Sequence, residues 1–130
     1  MFHLSAIKEA HAKVKSGADF PAYVGDLYKL GVKKYDTFVA DGHTVYVGDN
    51  DYQVTSAPVY ATLHISGTSD AEKFNVYLRD HQSGLTDYPT FCKQAAETGV
   101  EKWTVDMIEM TCTYYDRSNS TMLEEQIPTT

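Results

Sequence analysis

Positive charge is scarce in this chain, cysteine is nearly absent, and there is no long apolar run. Eleven lysines and arginines stand against eighteen aspartates and glutamates, a formal net charge of −7. Nucleic-acid binding needs a basic face whose contacts release counterions, so this balance excludes nucleic acid as the expected partner; the same sign argues against docking on an anionic membrane. No stretch approaches the roughly twenty apolar residues of a membrane-spanning helix. Met1-Phe2-His3-Leu4-Ser5 also lacks the basic-then-apolar order of a secretory signal, so the cytoplasm is the expected compartment. Only Cys92 and Cys112 could form a disulfide, and both stand in apolar patterns, which predicts reduced, buried thiols instead of a disulfide scaffold.

The usual signatures of chemistry are missing as well. Neither phosphate-loop glycine pattern is present, there is no Gly-x-Ser-x-Gly elbow, and neither cysteine has a Cys-x-x-Cys partner or a neighbouring histidine to lower its pKa. Five histidines (His3, His11, His43, His64 and His81) invite a metal hypothesis. No two of them share a face at helical or strand spacing, so no metal is expected. Asp49 and Asp51 resemble part of a calcium loop but lack its glycine and bidentate glutamate, and a turn is the expected use. Asp106 and Glu109 could be paired carboxylates, although solvated acids at a hairpin end explain them as well. No cofactor is expected.

What the chain does contain is a doubled unit. Tyr88-Pro89 through Gly99-Val100 has a weaker copy in Phe20-Pro21 through Gly31-Val32. At a constant offset of 68, residues 20–48 and 88–116 share Pro, Gly, Val, Lys and the pair Tyr46/Tyr114, with three aromatic exchanges besides. Each copy reads as a helix delivered into a strand. Proline fits the first helical turn, where its missing N–H costs nothing, and Asp19 and Asp87 stand two residues ahead to accept from free N–H groups. Tyr23, Val24, Leu27 and Leu30, and likewise Phe91, Cys92, Ala95 and Ala96, form one apolar stripe each. Gly31 and Gly99 end the helices in the left-handed conformation, with Val32 and Val100 packing back.

Taken in order, Ser5 is expected to cap a helix to about Lys15 with Ile7, Ala10, His11 and Val14 inward, stopped by Ser16-Gly17. Strands over 33–40 and 43–48 flank Asp41-Gly42, the dipeptide of a type I′ hairpin. After a turn at 48–51, residues 52–65 read as two short strands or one edge strand broken at Pro58. Ser69 and Glu72 form a capping box for a helix to about Gln82, with Phe74, Tyr77, Leu78 and His81 buried. Strands follow over 100–107, 111–116 and 122–127, with Cys112 and Tyr114 on the face of Trp103. The fold class is therefore α+β: an antiparallel sheet of about six strands with four helices, one domain over 1–130, built from helix-helix-strand-strand halves of about 1–66 and 67–130 related by a pseudo-two-fold. Phe38, Val45 and Val47 make one sheet face apolar and Tyr35, Val39 and Tyr46 the other, so the helix-covered face is ambiguous.

The set formed by Ser16-Gly17-Ala18-Asp19-Phe20-Pro21, Asp41-Gly42-His43-Thr44, Asp87 through Lys93, Gly99 through Trp103, and Met110 through Asp116 resembles, over essentially the whole chain, a bacterial family of unknown function, DUF1398. Its members are often labelled phage envelope protein. The resemblance implies no activity and supplies no catalytic residues.

Three functional classes follow. A small soluble, non-enzymatic binding or interaction domain is the first, with an unknown small ligand or protein as partner and a monomer or homodimer as its state. An enzyme with dispersed residues in a cleft between the halves is the second, and a phage-associated component the third. Ten tyrosines are unusual for this length. The equivalent pair Tyr46 and Tyr114, with His43 and Asp106 near the two hairpin turns, is the candidate ligand-binding set.

Overall fold

In the computed structural model, which describes residues 2–14 and 19–127, the two aromatic-Pro pairs open helices as expected. Four helices, α1 (Leu4–Ala12), α2 (Phe20–Leu30), α3 (Ala71–Gln82) and α4 (Tyr88–Glu97), combine with six strands: β1 (Lys34–Phe38), β2 (Thr44–Val47), β3 (Gln53–Thr55), β4 (Val100–Asp106), β5 (Thr111–Asp116) and β6 (Thr121–Gln126). The strands form one antiparallel sheet in the order β3-β2-β1-β4-β5-β6. This is an α+β fold.

The order reads the same from either edge once the halves are exchanged. At its centre β1 pairs β4, and the middle of that register sets Asp36 opposite Thr104, two positions separated by the offset of the sequence repeat. The Thr104 hydroxyl donates to the Asp36 carboxylate there. The halves differ in detail: β3 has three residues where β6 has six, and residues 56–69 lead from β3 to α3.

Aromatic packing settles which sheet face is covered. Tyr23 of α2 meets Tyr35 at 6.5 Å, Phe91 of α4 meets Trp103 at 5.9 Å, and Phe74 of α3 meets Tyr114 at 4.8 Å. Val39, Val32 and Val100 are fully buried. On the opposite face Phe38, Val45 and Val47 are half-buried, Phe38 stacks on His43 at 4.5 Å, and the Lys102 ammonium lies over the Phe38 and Tyr115 rings.

Several local expectations are corrected. Ser5 lies inside α1, and His3 occupies the N-cap without a side-chain bond. Phe2 is the reason: its ring is buried against Tyr52 at 4.9 Å and its carbonyl accepts from the Tyr52 hydroxyl, so the chain is anchored before the helix begins. His11 is exposed, and α1 ends at Ala12; Lys15, Ser16 and Gly17 lie outside the described residues. Helix α3 is capped by Asp70, whose carboxylate accepts from the Lys73 N–H, and Ser69 precedes the cap. The Asp70 N–H, which a capping box would satisfy with a side chain three residues on, goes to the Thr98 carbonyl instead.

No type I′ turn forms at Asp41-Gly42. Only Gly42 has positive φ (77°), whereas the type I′ turn requires it at both positions. Phe38 pairs with His43 around a four-residue loop, because Val39 leaves β2 to bond Glu101 of β4. The second strand considered for residues 52–65 is also absent. Past Thr55 the chain becomes a strap that crosses the β1–β2 loop: Val59 N–H donates to the Asp41 carbonyl, Leu63 N–H to Ala40, and Ser66 N–H to Ala96 at the end of α4.

Candidate functional site

The four residues singled out from the sequence do not converge. Tyr46 on β2 and Tyr114 on β5 are both buried on the helix-covered face, with β1 and β4 between them, about 14 Å at ordinary strand spacing. Tyr46 packs on Tyr35 at 5.5 Å, and Tyr114 packs on Trp103 and Phe74. His43 pairs with Phe38 at one end of β1, whereas Asp106 pairs with Lys34 at the other, about 13 Å along the strands. Asp106 is used locally, its carboxylate accepting from the Ile108 and Glu109 N–H groups of the turn. His43 is held by Asp41, which accepts from its backbone N–H and pairs with its Nδ1. Those contacts hold the Asp41 carboxyl below its ordinary value. Among the described residues, no group of three histidine, cysteine, aspartate or glutamate side chains could hold a metal ion.

A cleft does lie in the helical layer, at a different place. Helix α1 packs on α2 and α3 on α4, while the two pairs have few close backbone approaches to each other. The strap runs from the β1–β2 loop along α4. Val59 and Tyr60 lie directly on Gly42, where a Cβ would come within 2.4 Å of the Val59 side chain and 2.8 Å of the Tyr60 ring. Any side chain at 42 would push the strap off. The Tyr60 hydroxyl passes beneath and donates to the Val39 carbonyl at 2.6 Å.

Between strap and helix lies a cavity of about 280 Å³, lined by Tyr60, Ala61 and Leu63 on one side and Pro89, Cys92 and Lys93 of α4 on the other. Tyr88 stands beside Pro89 at the head of α4. Its residue surface is 42% exposed, yet its hydroxyl is directed inward, close enough to Cys92, Tyr60 and Tyr46 to feel each of them. A second concavity on the far flank of the strap, lined by Thr62, Leu63, His64, Ile65, Glu101 and Arg117, is a shallow surface groove. Its one arginine is set against one glutamate and bonds the Ile65 carbonyl.

Burial dominates the electrostatics around the cleft. It raises the phenols of Tyr23, Tyr35, Tyr46, Tyr60, Tyr88 and Tyr114 above their ordinary value, because the phenolate would have to shed water. The Cys92 thiol is raised for the same reason, partly offset by the Tyr60 and Tyr88 hydroxyls, and Cys112 is pushed up to about 12. Both thiols are free and protonated at neutral pH, so neither is in the nucleophilic form.

A titration tests this interior. The folded state keeps six phenolic protons that the unfolded chain releases near pH 10. The stability these groups contribute is therefore complete below pH 10 and is lost as pH rises through the folded values. Ultraviolet titration is expected to show six of the ten tyrosines ionising only together with loss of the fold. All ten titrating near pH 10 with the fold intact would contradict the burial described.

Taken together, a one-sided helical layer on a six-stranded antiparallel sheet, with a cavity between the strap and α4, defines an α+β protein. The chain belongs to the DUF1398 family, described as a protein of unknown function, whose model matches residues 8–126. No curated protein matches the chain. No helix among the described residues is long and apolar enough to cross a membrane.

Sequence reasoning placed Tyr88 and Cys92 on α4, expected Tyr60 on a strand where the structure has the strap, and gave none of the three a part in a site. The available signal was the aromatic-Pro pair itself, which sets Tyr88 beside Pro89 at a helix start. Nothing in the pattern announced that residues 59–63 would fold against α4.

Proposed function

We propose that this protein is a small-molecule-binding domain without catalytic chemistry of its own, and that its ligand sits between the strap at 60–63 and α4. The observation that carries the reading is the composition of that cavity: apolar walls from Ala61, Leu63 and Pro89, with the Tyr60 ring and the Cys92 thiol in its lining and the Tyr88 hydroxyl beside that thiol. Concave, mostly apolar surface with a few converging polar groups is the ordinary character of ligand sites. Catalysis would call for a group poised to ionise or attack, whereas burial holds Cys92 and the phenols in their neutral forms. Of the four sequence candidates, Tyr46 lies nearest this cleft through its interaction with Tyr88. Tyr114, His43 and Asp106 have other partners. The acidic balance leaves nucleic acid and anionic membranes outside the reading, and a cytoplasmic monomer or homodimer is the form we propose.

Chemical-shift mapping with a mixture of single-ring compounds tests it. Amides of Tyr60, Ala61, Leu63, Cys92 and Lys93 are expected to move, and Ala61→Trp, at an exposed position facing the cavity, is expected to abolish the response. Shifts clustered on the open sheet face around Phe38 and Tyr115, or binding unaffected by Ala61→Trp, would sink the proposal.

A further inference from the structure

We infer that the ligand of this cleft is a small monoanion with an apolar, single-ring body, held with its charge at the mouth against Lys93 and its ring inward. This inference rests on the binding reading above and adds the ligand's class and orientation. Size sets the first limit. At about 280 Å³ the cavity falls at the lower edge of ligand pockets, which run from roughly 300 to 1,000 Å³, so one ring with one substituent fills it.

Charge sets the second. Lys93 is exposed at the rim and makes no ion pair with any described residue. The acid that feels it, Asp87, is committed elsewhere: its carboxylate accepts from the Thr90 N–H at 2.8 Å as the N-cap of α4, and the Thr90 contacts hold it in the charged form ahead of Lys93 and His81. An otherwise acidic chain thus presents one uncommitted cation beside an apolar cavity. A single cation matches a single carboxylate; a dianion would keep half its charge unpaired against apolar walls.

Hydrogen-bond roles set the orientation. Tyr60 spends its only proton on the Val39 carbonyl, so its oxygen can accept but not donate. The Cys92 thiol beside it is neutral and weakly polar. An anion placed at this inner end would face the Tyr60 acceptor, a buried sulfur and one neutral hydroxyl, that of Tyr88, with no positive charge, whereas at the mouth it meets the ammonium. The ring therefore goes in first, against Leu63, Pro89 and Tyr60.

Benzoate and its neutral counterpart benzamide, titrated at pH 7 into the wild type, Lys93→Ala and Lys93→Arg with chemical-shift readout, test the assignment. Benzoate is expected to move the amides of residues 60–63 and 92–93 and to bind the wild type more tightly than benzamide does. Lys93→Ala is expected to weaken benzoate about threefold, the scale of a solvent-exposed ion pair, with Lys93→Arg restoring it and benzamide unaffected by either change. Equal binding of both compounds at these residues would overturn the anion assignment and leave the cleft reading standing. If neither compound moves these residues, both fall.

Discussion

Replacing Trp103 by alanine is expected to lower stability by about 3–5 kcal/mol, the range for removing a large aromatic from a packed core. Trp103 is the central residue of β4 on the helix-covered face. Its ring touches Phe91 and Tyr114, each with centroids at 5.9 Å, and Tyr88 edge-on at 6.4 Å, so it joins α4 to β5. Deleting it removes buried apolar area and leaves a hole that neighbours on two different elements would have to close together. Aromatic pair geometry adds to the area effect. Its counterpart at the repeat offset is Tyr35, which meets Tyr23 and Tyr46 in the same manner. Denaturant unfolding monitored by far-ultraviolet circular dichroism checks the prediction. A cost below about 1 kcal/mol would place the ring outside the core.

The second large effect separates two glycines that the sequence treats as equivalent. Both follow the end of an aromatic-Pro helix, Gly31 with φ of 106° and Gly99 with φ of 91°. At Gly31 a Cβ would meet only the Phe2 ring at 3.6 Å, an ordinary contact, so Gly31→Ala is expected to cost about 1–2 kcal/mol, the left-handed strain alone. At Gly99 it would come within 2.8 Å of the Thr68 carbonyl oxygen and 2.9 Å of the Ser69 Cα. These are backbone atoms, pinned because the Asp70 N–H bonds the Thr98 carbonyl. Gly99→Ala must therefore move the start of α3, and about 3–4 kcal/mol is expected. Equal costs for the two variants would show that the α3 entry yields freely and that the close approach at Gly99 has no energetic weight.

The difference between these glycines also shows where sequence reasoning stops. Helix starts, stripes and ends in both aromatic-Pro units were legible because proline, apolar spacing and glycine act within one turn of the chain, although of the two aspartates expected to cap them only Asp87 does so with its side chain, accepting from the Thr90 N–H, and Asp19 makes no side-chain cap bond. The strands over 100–106 and 111–116 were legible for the same reason: Trp103, Val105, Cys112 and Tyr114 alternate with polar residues, and the observed register sets Trp103 opposite Tyr114 and Val105 opposite Cys112. Features decided by distant partners were not legible. Ser69 carries the local signature of a cap, yet Asp70 takes the role because Thr98, far along the chain, supplies the acceptor for its N–H. Asp41-Gly42 carries the signature of a tight hairpin, yet Val39 is drawn to Glu101 and the strap bonds the loop carbonyls.

The four residues singled out from the sequence lie apart for a related reason. Tyr46 and Tyr114 were paired by an offset, and an offset gives equivalence without proximity: in the observed strand order the residues nearest the centre of the sheet belong to β1 and β4. The tyrosines that do approach one another, Tyr60 and Tyr88, are brought together by a segment with no regular structure, whose path follows from backbone bonds to Asp41, Ala40 and Ala96 and not from any periodicity of its own.

The most direct test of the cleft is a crystal structure of the purified protein soaked with benzoate, inspected at Tyr60, Leu63, Tyr88, Cys92 and Lys93. The account predicts an open cavity between strap and α4, with the ring against Leu63 and Pro89 and the carboxylate within ion-pair distance of Lys93. Tyr60 and Tyr88 found closed upon each other with no space between them, or benzoate bound only on the open sheet face, would contradict it.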